Sequence, residues 1–249
     1  MLTAVIVVYS LFFVLFLVGT VIKNNSIVDM FWGFGFVLTA WILFYISNEF
    51  TITKIIINSL VTLWGLRLFY HIVVRNFGEP EDFRYKNWRR AWGKYVIPRA
   101  LVQVYFLQGS FMLIIGLAVN YVNTTSLELN LWSLAGIFVF FVGYLFQVIG
   151  DYELKEFMKK KKGLLKTGTW SITRHPNYFG ESVMWFGIFI FAFINGAPVW
   201  TIVSPITITL VLRFISIPLL EEKMKKREGW DEYSKRVNIM FPWVKNGNK

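Results

Sequence analysis

Charged residues are missing from long reaches of this chain, and that restricts its fold more than any other feature. An α-helix needs about 20 apolar residues to cross a ~30 Å hydrocarbon layer, and only a helix or a closed barrel satisfies its own backbone there. Runs of that kind cover 2–22, 27–46, 55–74, 100–119 and 131–150. A further uncharged stretch, 182–212, is interrupted by Asn195-Gly196-Ala197-Pro198, which reads as a turn between two shorter spans. The pattern predicts an all-α polytopic membrane protein of about seven transmembrane helices, with residues 1–249 forming a single membrane domain. The first run lacks a basic segment before it and is followed by Lys23-Asn24-Asn25 rather than a small-residue cleavage site, so it reads as a retained helix.

The hydrophilic stretches set an expected orientation. Between Arg75 and Arg99 stand seven Lys/Arg against three acids, and between Arg213 and Lys249 nine against five. Placing the basic segments 75–99, 151–177 and 213–249 on the cytoplasmic side puts 120–130 and 195–198 outside, with the N-terminus outside and the C-terminus in the cytoplasm. The segment 75–99 reads as a loop, and the tail from Arg213 is expected to open with an amphipathic surface helix, Glu221-Glu222 at its start. The run Lys159-Lys160-Lys161-Lys162 reads as a contact to anionic lipid or a topology signal. Net charge of +11 would suggest nucleic acid in a soluble chain, but here the basic residues fall between apolar runs, so nucleic acid is set aside. With no cysteine, disulfides and thiolate chemistry are excluded, and two histidines argue against a multi-histidine metal site, so no metal is expected.

Chemistry concentrates in Trp170-Ser171-Ile172-Thr173-Arg174-His175-Pro176-Asn177-Tyr178-Phe179-Gly180-Glu181, where cation, imidazole, amide, phenol and carboxylate meet at the mouth of an apolar run. Pro176 disfavours helix at His175 and suits the first turn of a helix starting there. Asn177 and Glu181, four apart, then share a face, and the free N–H groups of that turn beside Arg174 suit a phosphate or another anion. Arg67 and His71 sit four apart inside a span, where ionisable groups are costly enough to be functional by default, and Asp29 is the acid placed to partner them. Gln147 and Asp151 form another such pair at a span's end. Arg213 enters the last span, and 75–85 mixes charge with aromatics as a possible nucleotide cover. No G-x-G-x-x-G, P-loop, H-E-x-x-H or G-x-S-x-G occurs, so any nucleotide has to be held between helix ends.

The motif at 174–181, together with Ser26 to Gly33, Trp64-Gly65-Leu66-Arg67, Glu81-Asp82-Phe83-Arg84-Tyr85, Gly150-Asp151-Tyr152-Glu153 and the ending Gly229-Trp230-Asp231-Glu232-Tyr233 through Phe241-Pro242, resembles the steroid 5-alpha-reductase-like family. The likeness is nearer to its bacterial branch of unknown function, and it is strongest over 131–249. It implies seven helices around NADPH near the cytoplasmic face of a bacterial inner membrane. The implied reaction reduces a carbon–carbon double bond conjugated to a carbonyl in a lipid or steroid-like substrate. The same resemblance implies cofactor contacts at Arg67, Asp151, Asn177, Tyr178, Glu181 and Arg213, with Gln147 in place of an asparagine, and Arg174 beside the helix start is expected to join them as a phosphate ligand. Where those reductases carry a tyrosine three residues before the arginine, this chain has Trp64, so His71, Tyr178 and Asp29 become the candidate catalytic residues. The C-terminal half is also similar to isoprenylcysteine carboxyl methyltransferases, which implies S-adenosylmethionine as an alternative ligand. A non-catalytic lipid-binding membrane protein is the third expectation.

Overall fold

The structure is a computed structural model describing residues 1–160 and 163–243; Lys161 and Lys162 of the lysine run lie outside the described residues. Helices follow one another as α1 (Leu2–Val21), α2 (Trp32–Ser47), α3 (Ile52–Asn76), α4 (Phe83–Ile115), α5 (Leu117–Thr124), α6 (Leu134–Lys160), α7 (Pro176–Ile194), α8 (Val199–Met224) and α9 (Trp230–Arg236). Among the described residues no strand forms beyond the single bridge Thr173–Asn238. Six of these helices, α1, α3, α4, α6, α7 and α8, are long and apolar enough to cross a membrane. α2 is apolar but has 16 residues, about 24 Å at 1.5 Å per residue.

Three boundaries differ from those the sequence suggests. The run 27–46 is not one helix: Ile27–Met30 makes a single turn, the backbone leaves the helix at Phe31, and α2 starts afresh. Polar ties cause the break, because the Asn25 N–H donates to Glu81 Oε1 at 2.8 Å and Ser26 Oγ accepts from the Asp82 N–H at 2.7 Å. The segment 75–99 is not a loop throughout, since α4 starts at Phe83, N-capped by Asp82, whose carboxylate accepts from the Arg84 N–H at 2.9 Å; α4 breaks at Gly93 (φ +51°), and its first part folds back so that Gln108 donates to the Tyr85 hydroxyl at 3.2 Å. The tail does not open with a separate surface helix at Arg213. α8 runs on through Arg213 to Met224, passing through a π-helical segment at Leu212–Ser216. The turn at 195–198 does form, with Gly196 at φ +106°.

The chain divides into two units, Met1–Asn130 with Ala192–Thr201, and Leu131–Phe191 with Ile202–Lys249. In the first unit α2 packs along α3, closest at Gly33 and Gly65, where a Cβ on Gly65 would lie 2.6 Å from the Gly33 carbonyl oxygen. Asn58 and Asn123, both fully buried, exchange two amide hydrogen bonds of 3.0 and 2.8 Å and join α3 to α5.

In the second unit α6 and α7 run antiparallel with their backbones in contact. Glycines make this possible: Gly136 faces Gly187, Gly143 faces Gly180, and Gly150 lies against Pro176 and Asn177. Lipid provides no hydrophobic drive between helices, so small residues that admit close van der Waals packing decide which faces meet. That contact fixes the register of everything polar beyond it.

Candidate functional site

One turn past Gly143 on α6 comes Gln147, and a further turn on Asp151; on α7, Glu181 follows Gly180 and Asn177 sits one turn earlier. Antiparallel packing therefore opposes Gln147 to Glu181 and Asp151 to Asn177. Gln147 Nε2 donates to Glu181 Oε2 at 3.1 Å, and Asn177 Nδ2 donates to Asp151 Oδ1 at 2.9 Å. Gln147 is 2% exposed and Glu181 5%. A carboxylate at that burial is tolerated only with hydrogen-bond donors around it. One acceptor here is left over: among the described residues Gln147 Oε1 is buried with no hydrogen-bond partner, as is the hydroxyl of Ser182, the next residue along α7. Each orphaned group costs about 1–3 kcal/mol, which a bound N–H or O–H donor would recover.

The Arg174-His175-Pro176 corner is built by the C-terminal segment. Arg174 Nε and Nη2 donate to the two carboxylate oxygens of Glu221 at 2.8 and 3.2 Å, and Nη1 donates to the Ser234 and Val237 carbonyls at 2.7 and 3.1 Å. Four of its five N–H donors are thus engaged within the protein, which ties Arg174 to the C-terminal segment. His175 Nε2 lies 3.3 Å from Glu221 Oε1, and its ring stacks on Tyr178 with centroids 5.7 Å apart. Burial holds the His175 imidazole below its ordinary value; Glu221 pulls the other way, and the nearby cations Arg174 and Arg213 assist the burial. Arg213 lies in the π-helical segment of α8 with its guanidinium 5.1 Å from the Phe214 ring centroid.

Backbone bonds complete the corner. The Arg174 N–H donates to the Asn238 carbonyl at 2.9 Å, Thr173 Oγ1 to the Met240 carbonyl at 2.7 Å and the Trp243 N–H to the Ile172 carbonyl at 2.9 Å. Tyr233 donates to the Trp170 carbonyl at 2.6 Å, and Glu153 accepts from both the N–H and the hydroxyl of Thr169.

Seven of the sequence-predicted residues, Gln147, Asp151, Arg174, Asn177, Tyr178, Glu181 and Arg213, belong to the second unit. Arg67, His71 and Asp29 belong to the first. Arg67 and His71 are half-buried on α3. Asp29 does not serve as the acid for that pair: it accepts from Arg84 Nη2 at 2.7 Å and from the Tyr85 hydroxyl at 2.6 Å, anchoring the head of α4 to the turn before α2. Sequence reasoning missed Glu221, Glu153 and Ser182. The signal for the first lay in Trp230, Tyr233 and Val237, whose helical spacing makes an apolar face and whose burial folds the tail back onto the motif.

The fold and this cluster define a helical membrane-type protein with a buried amide–carboxylate site between two glycine-packed helices. The chain belongs to the family described as Protein of unknown function (DUF1295), whose family model matches residues 15–237. No curated protein and no solved structure matches it.

Proposed function

We propose that the second unit binds a reduced nicotinamide dinucleotide, NADPH, and that the protein is a membrane-embedded reductase of carbon–carbon double bonds conjugated to a carbonyl in a lipid-soluble substrate. The observation that carries this reading is the buried Gln147–Glu181 pair with its leftover acceptor on Gln147. A primary carboxamide offers two N–H donors and one acceptor, which suits a carboxylate and an amide oxygen side by side. Asp151 and Asn177, one turn nearer the helix ends, offer acceptor and donor groups suited to ribose hydroxyls. Arg213, with no acidic partner among the described residues, is the cation for phosphate. The resemblance of the 174–181 and 150–153 motifs to reductases of this type agrees with that assignment.

When bound, NADPH supplies the hydride that reaches the carbon β to the carbonyl. The chain's own share is to orient the reactants, exclude water and deliver one proton to the α carbon, by way of the developing oxyanion. Tyr178 Oη is the donor we assign, its ring held by stacking on His175. Imidazole neutrality at His175 keeps that stack from adding a charge beside the phenol. We further infer that α2 lies within the membrane as a seventh helix, with the basic segments 75–99, 151–177 and 213–249 in the cytoplasm.

Equilibrium dialysis of the detergent-purified protein against NADPH, NADH and S-adenosylmethionine tests the reading. Gln147→Leu and Arg213→Gln should each weaken NADPH binding at least tenfold, the former through the carboxamide and the latter through phosphate. Binding of S-adenosylmethionine in place of NADPH would move the assignment to methyl transfer.

A further inference from the structure

A separate surface, on α4, is unconnected with the dinucleotide reading and carries its own ligand chemistry. α4 breaks at Gly93 (φ +51°), and Gln108 in its later part donates to the Tyr85 hydroxyl at 3.2 Å, so 83–92 folds back and the spanning piece is 96–115, about 30 Å at 1.5 Å per residue and equal to the hydrocarbon layer. The basic stretch 84–94 precedes that spanning piece. Arg99 is the last charge before an uncharged stretch that lasts to Leu127, which sets Arg99 at the boundary itself. There the helix changes form: Pro98 stands just ahead of a π-helical segment, Leu101–Phe106. Such segments widen the turn and displace side chains from the α-helical rows.

The result is an open groove of about 400 Å³ lined by Tyr95, Pro98, Arg99, Val102 and Gln103. Its two ends differ in chemistry. At the polar end Arg99 and Gln103 carry no hydrogen bond or ion pair among the described residues, and the Lys94 ammonium lies 5.2 Å from the centroid of the Tyr95 ring. At the other end the exposed faces of Val102 and Phe106 continue along the helix into the apolar stretch. A guanidinium, an amide and an ammonium above an aliphatic track match one molecule of opposite charge and like polarity order.

We propose that this groove is a binding site for an anionic phospholipid, its phosphate held by Arg99 and Gln103 with Lys94 beside it and an acyl chain lying along Val102 and Phe106. Arginine binds phosphate through paired N–H donors, a glutamine amide adds a third, and basic residues at the anionic leaflet surface are favoured. Tyr95, an interfacial aromatic, closes the headgroup side.

The full-length protein is reconstituted in nanodiscs of phosphatidylcholine containing an equal share of phosphatidylglycerol, extracted in mild detergent, and its retained lipids are counted by native mass spectrometry. The wild type should keep phosphatidylglycerol in preference to phosphatidylcholine, and Arg99→Gln should lower that preference about tenfold. Lys155→Gln removes the same charge from an exposed position on α6 and should leave the preference unchanged. Equal losses in the two variants would overturn the site in favour of diffuse attraction. Displacement of the lipid by millimolar inorganic phosphate would also overturn it, since the groove would then be a phosphate site. Arg99 and Gln103 being on the surface, thermal unfolding of Arg99→Gln in phosphatidylcholine alone should match the wild type, which separates lost binding from lost folding.

Discussion

Replacing Gly180 by alanine should break the candidate site without touching any of its side chains. A Cβ there would lie 2.5 Å from the Gln147 backbone nitrogen and 2.5 Å from the Gly143 carbonyl oxygen, whereas ordinary contact begins at 3.4 Å. Neither obstacle is a movable side chain, so α6 and α7 must part by about 0.9 Å at this point. The Gln147–Glu181 hydrogen bond, 3.1 Å long, is thereby stretched to about 4.0 Å, beyond hydrogen-bonding reach. Overpacking costs about 1–3 kcal/mol, and loss of a bond to a charged group about 1.5–3. Alanine returns up to about 1 through helix propensity, so a net loss of about 1.5–6 kcal/mol is expected. Urea-induced or thermal unfolding in detergent reads it, and NADPH affinity should fall in parallel. Gly109→Ala is the control, because its Cβ would meet side chains rather than backbone, the Tyr9 ring at 3.1 and 3.2 Å and Val8 at 3.5 Å, and so needs a shift of only about 0.3 Å. If Gly180→Ala proved no less stable than Gly109→Ala, the close helix contact would not be what sets the register of the site.

Asn123→Leu should cost about 1–3 kcal/mol by stranding the Asn58 amide, while the double variant Asn58→Leu/Asn123→Leu should recover most of it; a double-mutant cycle of unfolding energies checks this. The His175 imidazole has its folded value pushed below the ordinary 6.5, so the unfolded chain binds more protons in that window and stability is present above 6.5 and lost as pH falls through the folded value. Melting temperature should accordingly drop from neutral pH toward about pH 5 in the wild type and drop less in His175→Gln. Because the chain has no cysteine, single-cysteine variants at Lys155 and Glu128 report topology directly. A membrane-impermeant maleimide on intact cells should label position 128 and spare 155, and the reverse pattern would invert the orientation.

Hydrophobic runs between charges, read as seven spans, coincide with six helices long enough to cross a membrane and with the 16-residue α2, and the turn at 195–198 was legible too, since these follow from local composition. The opposition of Gln147 to Glu181 was not: it depends on the seven-residue spacing of Gly136, Gly143 and Gly150 meeting that of Gly180 and Gly187, a match between two distant segments. Arg174 has partners that its local sequence does not reveal. Beside a helix start it reads as an anion ligand, yet a tail that looked like a polar surface segment supplies Glu221 and two carbonyls to it. Asp29 likewise takes Arg84 and Tyr85, residues that read as loop. Long-range partners of this kind leave little local trace, apart from the apolar spacing of Trp230, Tyr233 and Val237.

The measurement that bears most directly on the central claim is thermal unfolding of the detergent-purified protein with NADPH, NADH and S-adenosylmethionine side by side. A ligand at a hundred times its Kd should add about 2.7 kcal/mol to stability. The account predicts stabilisation by NADPH that disappears in Glu181→Ala; stabilisation by S-adenosylmethionine alone, or by none of the three, would contradict it.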